Sequence, residues 1–141
     1  MNVSSVMTAN PTCCTRETPL TEVAKMMVDC DCGQIPVVES QQDKRPVGVV
    51  TDRDIVVRMV AEGRDPCCGT AADCMSSDVK TVEESSSLRD AVCLMEAEQI
   101  RRLPVVDSSG KLIGIVAVAD LALAGKDQAT AEVVKEVSQP N

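Results

Sequence analysis

The sequence contains no phenylalanine, tyrosine, tryptophan or histidine. Without histidine, neither a Ser-His nor a Cys-His nucleophile pair can form, and histidine metal ligands are excluded. Without aromatic rings, the base-stacking platforms of single-strand-binding proteins are excluded as well. Any bound planar ring would therefore lie between aliphatic side chains and be recognised by backbone groups.

Long apolar runs and an excess of positive charge are also missing. The longest apolar stretches, such as Ile55-Val56-Val57, are far too short to span a bilayer. No basic segment followed by an apolar one begins the chain, so we expect no signal peptide and a cytoplasmic location. The net charge of −8 argues against a nucleic-acid partner. An anion could still bind to a local cluster of the 14 lysines and arginines.

The chain contains an internal repeat. The segment Ile35–Glu39 (IPVVE) recurs as Leu103–Asp107 (LPVVD), and Gly48–Ile55 recurs as Gly114–Leu121 after a shorter loop. The apolar residues upstream also recur, with Leu20, Val23, Ala24 and Met27 matching Leu88, Ala91, Val92 and Met95. Two copies of one pattern predict a pseudo-twofold pair of similar units.

Each copy predicts a strand, a helix, two strands and a second helix. Apolar residues spaced i, i+3, i+4 and i+7 indicate the first helix, with Thr18 as N-cap, Pro19 as first helical residue and Ser86-Ser87 as the corresponding start. The remaining predicted elements are strands starting at Pro36 and Pro104, strands 47–50 and 112–116, and helices from about Thr51 to Gly63 and from Ala117 to Gly125.

These elements divide the chain into a first repeat (1–63), a connector (64–70), a second repeat (71–125) and a polar tail (126–141). Within the tail, residues 129–137 have a composition compatible with a helix.

The repeated combination of helix, [Ile/Leu]-Pro-Val-Val strand, loop and Gly-x-x-Thr-x-x-Asp helix start resembles the CBS (cystathionine β-synthase) motif. The resemblance covers about residues 3–124 and is typical of a stand-alone CBS pair, or Bateman module. It implies a mixed α/β fold of two repeats packed through their sheets, commonly as a homodimer. It also implies clefts for AMP, ADP or ATP, and sometimes NAD(P) or S-adenosylmethionine, with output through a separate regulated partner.

The resemblance implies a first cleft that combines segments of both repeats. In it, Asp54 would accept the ribose hydroxyls, and Arg101 and Arg102 would bind phosphate. Thr51 would present the start of its helix to the phosphate. The full set is Val49, Thr51, Asp52, Arg53, Asp54, Val79, Lys80, Ile100, Arg101 and Arg102, of which the aliphatic members would enclose adenine.

A second cleft would use the corresponding residues of the opposite repeats, and it departs from the family pattern. Ala117 replaces the hydroxyl residue, and Gly33-Gln34 replaces the arginine pair. We therefore expect this cleft to be weak, empty or suited to a less charged ligand. Its members are Pro11, Thr12, Cys32, Gly33, Gln34, Ile115, Ala117 and Asp120.

Simpler roles remain open for these residues. Asp54 and Asp120 could cap the first turns of their helices, because aspartate is favoured there. Arg101 and Arg102 could form a solvated helix end. In that case the chain would be a ligand-free scaffold that binds a partner.

The eight cysteines allow three interpretations. Alignment of the repeats places Cys14, Cys32 and Cys74 at positions where the other copy has apolar residues, which predicts burial. A zinc site is disfavoured, because zinc cysteines usually have two to four residues between them, whereas Cys13 and Cys14 are adjacent, Cys30 and Cys32 have one residue between them, and no Cys-x-x-Cys is present. The adjacent Cys67 and Cys68 lie in the connector, where reversible oxidation is feasible. The other cysteines are Cys13, Cys30 and Cys93.

The leading hypothesis is a regulatory module that senses an adenine nucleotide. The alternative is a structural or partner-binding scaffold, modulated by cysteine oxidation. Catalysis is not expected, because neither a cysteine thiolate nor the Asp52 and Asp54 carboxylates have a visible base partner. No catalytic cofactor, resident metal, nucleic acid or membrane is predicted.

Overall fold

The structure, a computed structural model, describes residues 1–124. The predicted tail 126–141, its helix 129–137 and the helix end at Gly125 lie outside the described residues. Within the described range, no helix is both long and apolar enough to cross a membrane.

The elements follow the predicted order of strand, helix, strand, strand and helix in each repeat, so the mixed α/β fold is confirmed. In chain order they are β1 (Thr8–Ala9), α1 (Leu20–Cys30), β2 (Gln34–Val38), β3 (Pro46–Thr51), α2 (Asp52–Ile55), α3 (Ala71–Cys74), β4 (Val82–Glu83), α4 (Leu88–Glu98), β5 (Arg102–Val106), β6 (Leu112–Ala117) and α5 (Val118–Ala124). A π-helical segment (Val56–Val60) follows α2, and 3₁₀ turns form at Val3–Ser5 and Pro66–Cys68.

The chain divides into two compact units. The continuous unit consists of Thr12–Val79, and the split unit joins Met1–Pro11 to Lys80 and the described residues after it. These units do not coincide with the sequence repeats, because the first residues of the chain belong to the unit that holds the second repeat. The repeat boundaries therefore describe sequence periodicity, and the units describe packing.

The split unit contains a four-stranded sheet in the order β1-β6-β5-β4. Strands β5 and β6 are antiparallel, whereas β4 pairs with β5 in parallel. The apolar faces of α4 and α5 and the 3₁₀ turn pack into one core; its fully buried side chains include Val3, Met95, Leu103, Val116 and Leu121. This core holds the sheet in which Arg102 and Ala117 pair at the ends of β5 and β6.

The continuous unit repeats this arrangement with fewer ladder bonds. Strands β2 and β3 form an antiparallel pair. Single bridges, Cys14 to Val37 and Val49 to Ser76, stand where β4 and β1 stand in the split unit. The first strand segment of each repeat therefore pairs with a strand of the other repeat: Thr8 pairs with Ile115, and Ser76 bridges to Val49.

Two predicted helix limits are wrong. Thr18 does not cap α1, because its Oγ1 atom accepts a hydrogen bond from the Thr15 amide at 3.0 Å, and Pro19 is the N-cap residue. The second helix of the first repeat ends with the π-helical segment at Val60, before Gly63. Gly63 instead takes the turn that follows, with φ of +73°, which favours glycine. The start of α4 is as predicted: Ser87 Oγ accepts from the Asp90 amide at 3.0 Å.

The predicted starts of two strands are also wrong. Pro36 and Pro104 lie inside β2 and β5, two residues after each strand begins. An interior proline is tolerated there because β4 pairs with β5 only at Val105 and Val106, so no ladder partner opposes Pro104 on that side.

Candidate functional site

The junction of β3 and α2 fixes the first predicted aspartate. Thr51 Oγ1 accepts from the Asp54 amide, and Asp54 Oδ2 accepts from the Thr51 amide, each at 3.0 Å. This reciprocal capping box satisfies two amides that the helix leaves unpaired. The capping role considered from the sequence is therefore present at Asp54.

The junction of β6 and α5 holds the second predicted aspartate in a similar way. Asp120 Oδ2 accepts from the Ala117 amide at 2.8 Å. Ala117 has no hydroxyl, so the return bond of the capping box cannot form. A carboxylate has two oxygens and about four acceptor positions, so capping leaves capacity for ligand hydroxyls at either aspartate.

A cavity of about 360 Å³ opens in the split unit beside this junction. It is lined by Thr8, Arg101, Arg102, Ala117, Val118, Ala119 and Asp120. Its volume lies within the range of small-molecule sites. Two guanidiniums, one carboxylate and one hydroxyl around one hollow favour a ligand that has both an oxyanion and hydroxyl groups.

The sheet register explains why the arginines lie in this cavity. Arg102, the first residue of β5, pairs with Ala117, the last residue of β6. The Val118 amide donates to the Arg101 carbonyl at 3.0 Å, which ties the chain before β5 to the start of α5. Arg102 is half-buried and Arg101 is exposed. The antiparallel pairing thus places the arginine pair beside Asp120.

The predicted site residues are distributed over both units. Of the first set, the split unit contains Lys80, Ile100, Arg101 and Arg102, and the continuous unit contains Val49, Thr51, Asp52, Arg53, Asp54 and Val79. Of the second set, the split unit contains Pro11, Ile115, Ala117 and Asp120, and the continuous unit contains Thr12, Cys32, Gly33 and Gln34. The grouping of each set into one cleft stays a prediction. Within the split unit, the cavity brings two members of the first set together with two of the second.

Sequence reasoning missed Thr8, an exposed residue at the start of β1 that lines the cavity. The internal repeat could have indicated Thr8 as a candidate site residue. Met7-Thr8 recurs as Met75-Ser76, so a hydroxyl residue follows methionine in both copies. The structure gives these residues equivalent places, since Thr8 pairs with Ile115 and Ser76 bridges to Val49.

The cysteines fall into a buried and an exposed class, largely as the repeat alignment predicts. Cys14 and Cys74 are fully buried in the core of the continuous unit, and Cys32 is half-buried. Burial raises the pKa of the Cys14 thiol to about 12, with the neighbouring Cys13 and Cys74 adding to the rise. Cys67 and Cys68 are exposed, and a hydrogen bond to the Asp65 carboxylate raises the pKa of Cys68. The Cys14 and Cys68 thiols are therefore protonated at neutral pH.

Comparison with known proteins decides the family. The model of the CBS domain matches twice, at residues 3–61 and 71–127. The chain belongs to the CBS domain family. The resemblance found in the repeated motifs is thereby confirmed.

Two relatives show how far the likeness extends. An uncharacterised protein of Methanopyrus kandleri is 41% identical over 116 residues, which are 82% of this chain and 56% of that protein, so the chain spans little more than half of its length. Hypoxic response protein 1 of Mycobacterium tuberculosis is 35% identical over 135 residues, covering 96% of this chain and 92% of the relative.

Solved structures agree with the fold. Hypoxic Response Protein I, solved with two coordinated zinc ions, matches with a TM-score of 0.79 and 34% identity over 87% of this chain and 98% of its own. CBSX2, solved in complex with AMP, matches with a TM-score of 0.73 and 27% identity over 87% of this chain and 94% of its own. Residues 1–124 of this chain contain no group of three or more cysteine, aspartate or glutamate side chains placed to hold a metal ion.

Proposed function

We propose that this protein is a regulatory module that binds an adenine nucleotide, AMP, ADP or ATP, with its phosphate against Arg101 and Arg102. The observation that carries the proposal is the cavity of the split unit, in which both arginines, Asp120 and Thr8 converge. The AMP complex of the related CBSX2 supports the choice of ligand class. NAD(P) and S-adenosylmethionine are secondary candidates.

The charges of the cavity suit a phosphate better than a neutral ligand. Guanidiniums form charge-assisted, forked hydrogen bonds to phosphate oxygens. Arg102 is half-buried, so solvent ions screen it less than they screen the exposed Arg101. We therefore assign the larger share of phosphate binding to Arg102, and a hydrogen-bonding role to the Thr8 hydroxyl.

The sugar is assigned to the aspartates. Asp54 is the acceptor implied by the family pattern, and Asp120 is the acceptor that lines the cavity. Titrating AMP against Asp54→Asn and Asp120→Asn separates the two roles. Asparagine retains an oxygen for the capping bond, so a loss of affinity in either variant reports on the ligand rather than on the helix. Unchanged AMP affinity in both variants would contradict any role for these side chains in sugar binding.

Thermal unfolding tests the proposed function. A ligand that binds only the native state raises the melting temperature, by an increment that grows with ligand concentration over Kd. We expect AMP, ADP or ATP at millimolar concentration to raise it, and adenosine, which lacks phosphate, to raise it less. No shift with any of the three nucleotides, nor with NAD or S-adenosylmethionine, would contradict the proposal.

A ligand-free scaffold is the second candidate, and one observation favours it. The π-helical segment of the continuous unit exposes three apolar side chains, with Val56 57%, Val57 46% and Val60 56% accessible. Exposed apolar clusters often mark protein contacts. If the nucleotides leave the melting temperature unchanged while Val57→Ser changes the oligomeric state in sedimentation, the scaffold is supported in place of the sensor.

The remaining expectations stay predictions. They are a homodimer, an unidentified regulated protein, a cytoplasmic location and the absence of catalysis. Incubation of the protein with nucleotides that it binds, followed by chromatography, tests the last one, and turnover of a bound nucleotide would overturn it.

A further inference from the structure

The two units share one backbone arrangement where a helix follows the last strand. In the split unit, the Val118 amide donates to the Arg101 carbonyl at 3.0 Å; in the continuous unit, the Asp52 amide donates to the Gly33 carbonyl at 2.9 Å. Arg101 and Gly33 are therefore structural equivalents, as are Val118 and Asp52. Because the backbone hydrogen bond is the same in both units, the two pairs differ only in their side chains.

The side chains at these equivalent places have opposite character. The split unit has a cationic arginine opposite the buried Val118. The continuous unit has no side chain at residue 33 and an exposed carboxylate at Asp52. That carboxylate lies over the glycine, because a Cβ atom added to Gly33 would come within 2.9 Å of Asp52 Oδ2 and 3.1 Å of Oδ1. Asp52 thus occupies the space in which an arginine at position 33 would begin.

The surrounding charges extend this contrast. The residue equivalent to Arg102 is the neutral Gln34, which pairs with Thr51 at the end of β3. Asp54 adds a second carboxylate at the same junction, whereas Arg53 adds one guanidinium. At the three equivalent positions the split unit has two cations (Arg101 and Arg102) beside the neutral Val118, whereas the continuous unit has one anion (Asp52) beside two neutral residues. Arg58 adds a guanidinium to the continuous unit, where it donates to the Met75 carbonyl at 2.9 Å. A carboxylate repels an oxyanion at close range, even where solvent reduces the interaction.

We propose that Asp52 and Gly33 together form a specificity determinant that excludes phosphate and other oxyanions from the continuous unit, so that among residues 1–124 an oxyanion binds only in the split unit. The inference rests on the proposed function insofar as the oxyanion is the phosphate of the nucleotide. It goes further because it gives Asp52 the role of repelling an oxyanion. The family resemblance, in contrast, places this residue of the Gly-x-x-Thr-x-x-Asp segment among the ligand-binding residues.

Calorimetric titration of the full chain with inorganic pyrophosphate tests the determinant. The wild-type protein binds one pyrophosphate per chain, and Arg102→Ala weakens that binding at least about tenfold, the loss expected for one charge-assisted contact. The triple variant Gly33→Arg, Gln34→Arg and Asp52→Val copies Arg101, Arg102 and Val118 of the split unit, so it binds a second pyrophosphate. Gln34→Arg supplies the equivalent of Arg102 alone. Adding Asp52→Asn, which removes only the charge and keeps an oxygen for the 2.8 Å bond from the Arg53 amide, raises affinity at the second site about tenfold over Gln34→Arg.

Asp29→Asn is the matched control, because it removes one carboxylate from the exposed face of α1 in the same unit. It leaves pyrophosphate affinity and stoichiometry unchanged. The proposal is overturned if the wild-type chain binds no pyrophosphate or already binds two, or if the folded triple variant still binds one. It is also overturned if adding Asp52→Asn to Gln34→Arg changes affinity no more than adding Asp29→Asn does. A chain that binds pyrophosphate but not AMP refutes the proposed function alone. A chain that binds AMP while Asp52→Asn weakens that binding refutes the specificity determinant alone.

Discussion

Replacing Arg102 by alanine should weaken AMP binding far more than it weakens adenosine binding. A hydrogen bond to a charged group contributes about 1.5–3 kcal/mol. That range corresponds to a loss of about 10- to 150-fold in affinity. Arg102 is half-buried at the start of β5, which favours the upper part of the range. Arg101 is exposed, so Arg101→Ala should cost less, about 1 kcal/mol or below.

Isothermal calorimetry with both ligands measures this difference directly. Arg89→Ala is the control, because it removes one exposed guanidinium from α4 in the same unit. It should leave both affinities unchanged. If Arg102→Ala lowers the affinities for AMP and adenosine by equal factors, the arginine does not contact phosphate and the assignment of the cavity is wrong.

Three further predictions concern stability, each measured by urea unfolding. Thr51→Ala removes one bond of the capping box and should lower the free energy of unfolding by about 1 kcal/mol, whereas Ala117→Thr should supply the missing hydroxyl of the equivalent junction and raise it by about 0.5–1 kcal/mol. Gly48→Ala should cost about 1–3 kcal/mol, because the new Cβ would lie 2.5 Å from the Ser76 carbonyl oxygen. Since burial raises the pKa of Cys14 to about 12, the folded state keeps a proton that the unfolded chain releases near pH 9, so stability should fall as the pH rises from about 9 towards 12.

Each of these has an outcome that contradicts it. An unchanged unfolding free energy in Thr51→Ala, or a loss of stability in Ala117→Thr, would mean that the two junctions are not equivalent. A neutral Gly48→Ala would mean that β3 and the segment at Ser76 can separate without cost. For the pH dependence, Cys14→Ala should have a shallower decline above pH 9 than the wild type, and an identical decline would contradict the assignment to this thiol.

Much of the architecture could be predicted because it is encoded locally. The apolar spacing of Leu20, Val23 and Met27 determines the buried face of α1, and these side chains are in fact buried. The β-branched residues after Pro36 and Pro104 indicated both central strands. Thr18, in contrast, met every local preference for an N-cap, and a competing bond to the Thr15 amide changed its role.

The pairing of each repeat's first strand segment with a strand of the other repeat could not be predicted from periodicity. The local sequence around Thr8 does not indicate that this residue pairs with Ile115, which is distant in sequence. Strand pairing depends on packing rather than on local propensity. The family resemblance groups Arg101 and Arg102 with the other repeat's helix start, and that grouping stays a prediction. Neither the resemblance nor the residue pattern indicates that the β5–β6 register also places these arginines beside Asp120.

Equilibrium dialysis of the purified protein against AMP, followed at 260 nm, is the most direct test of nucleotide binding. The chain has no tryptophan, tyrosine or phenylalanine, so absorbance at this wavelength reports mainly the base. We predict an excess of absorbance on the protein side that saturates as the AMP concentration rises. In Arg102→Ala, the affinity for AMP obtained from this saturation should be at least about tenfold lower. Equal absorbance on both sides of the membrane at millimolar AMP would show that the cavity does not bind the nucleotide.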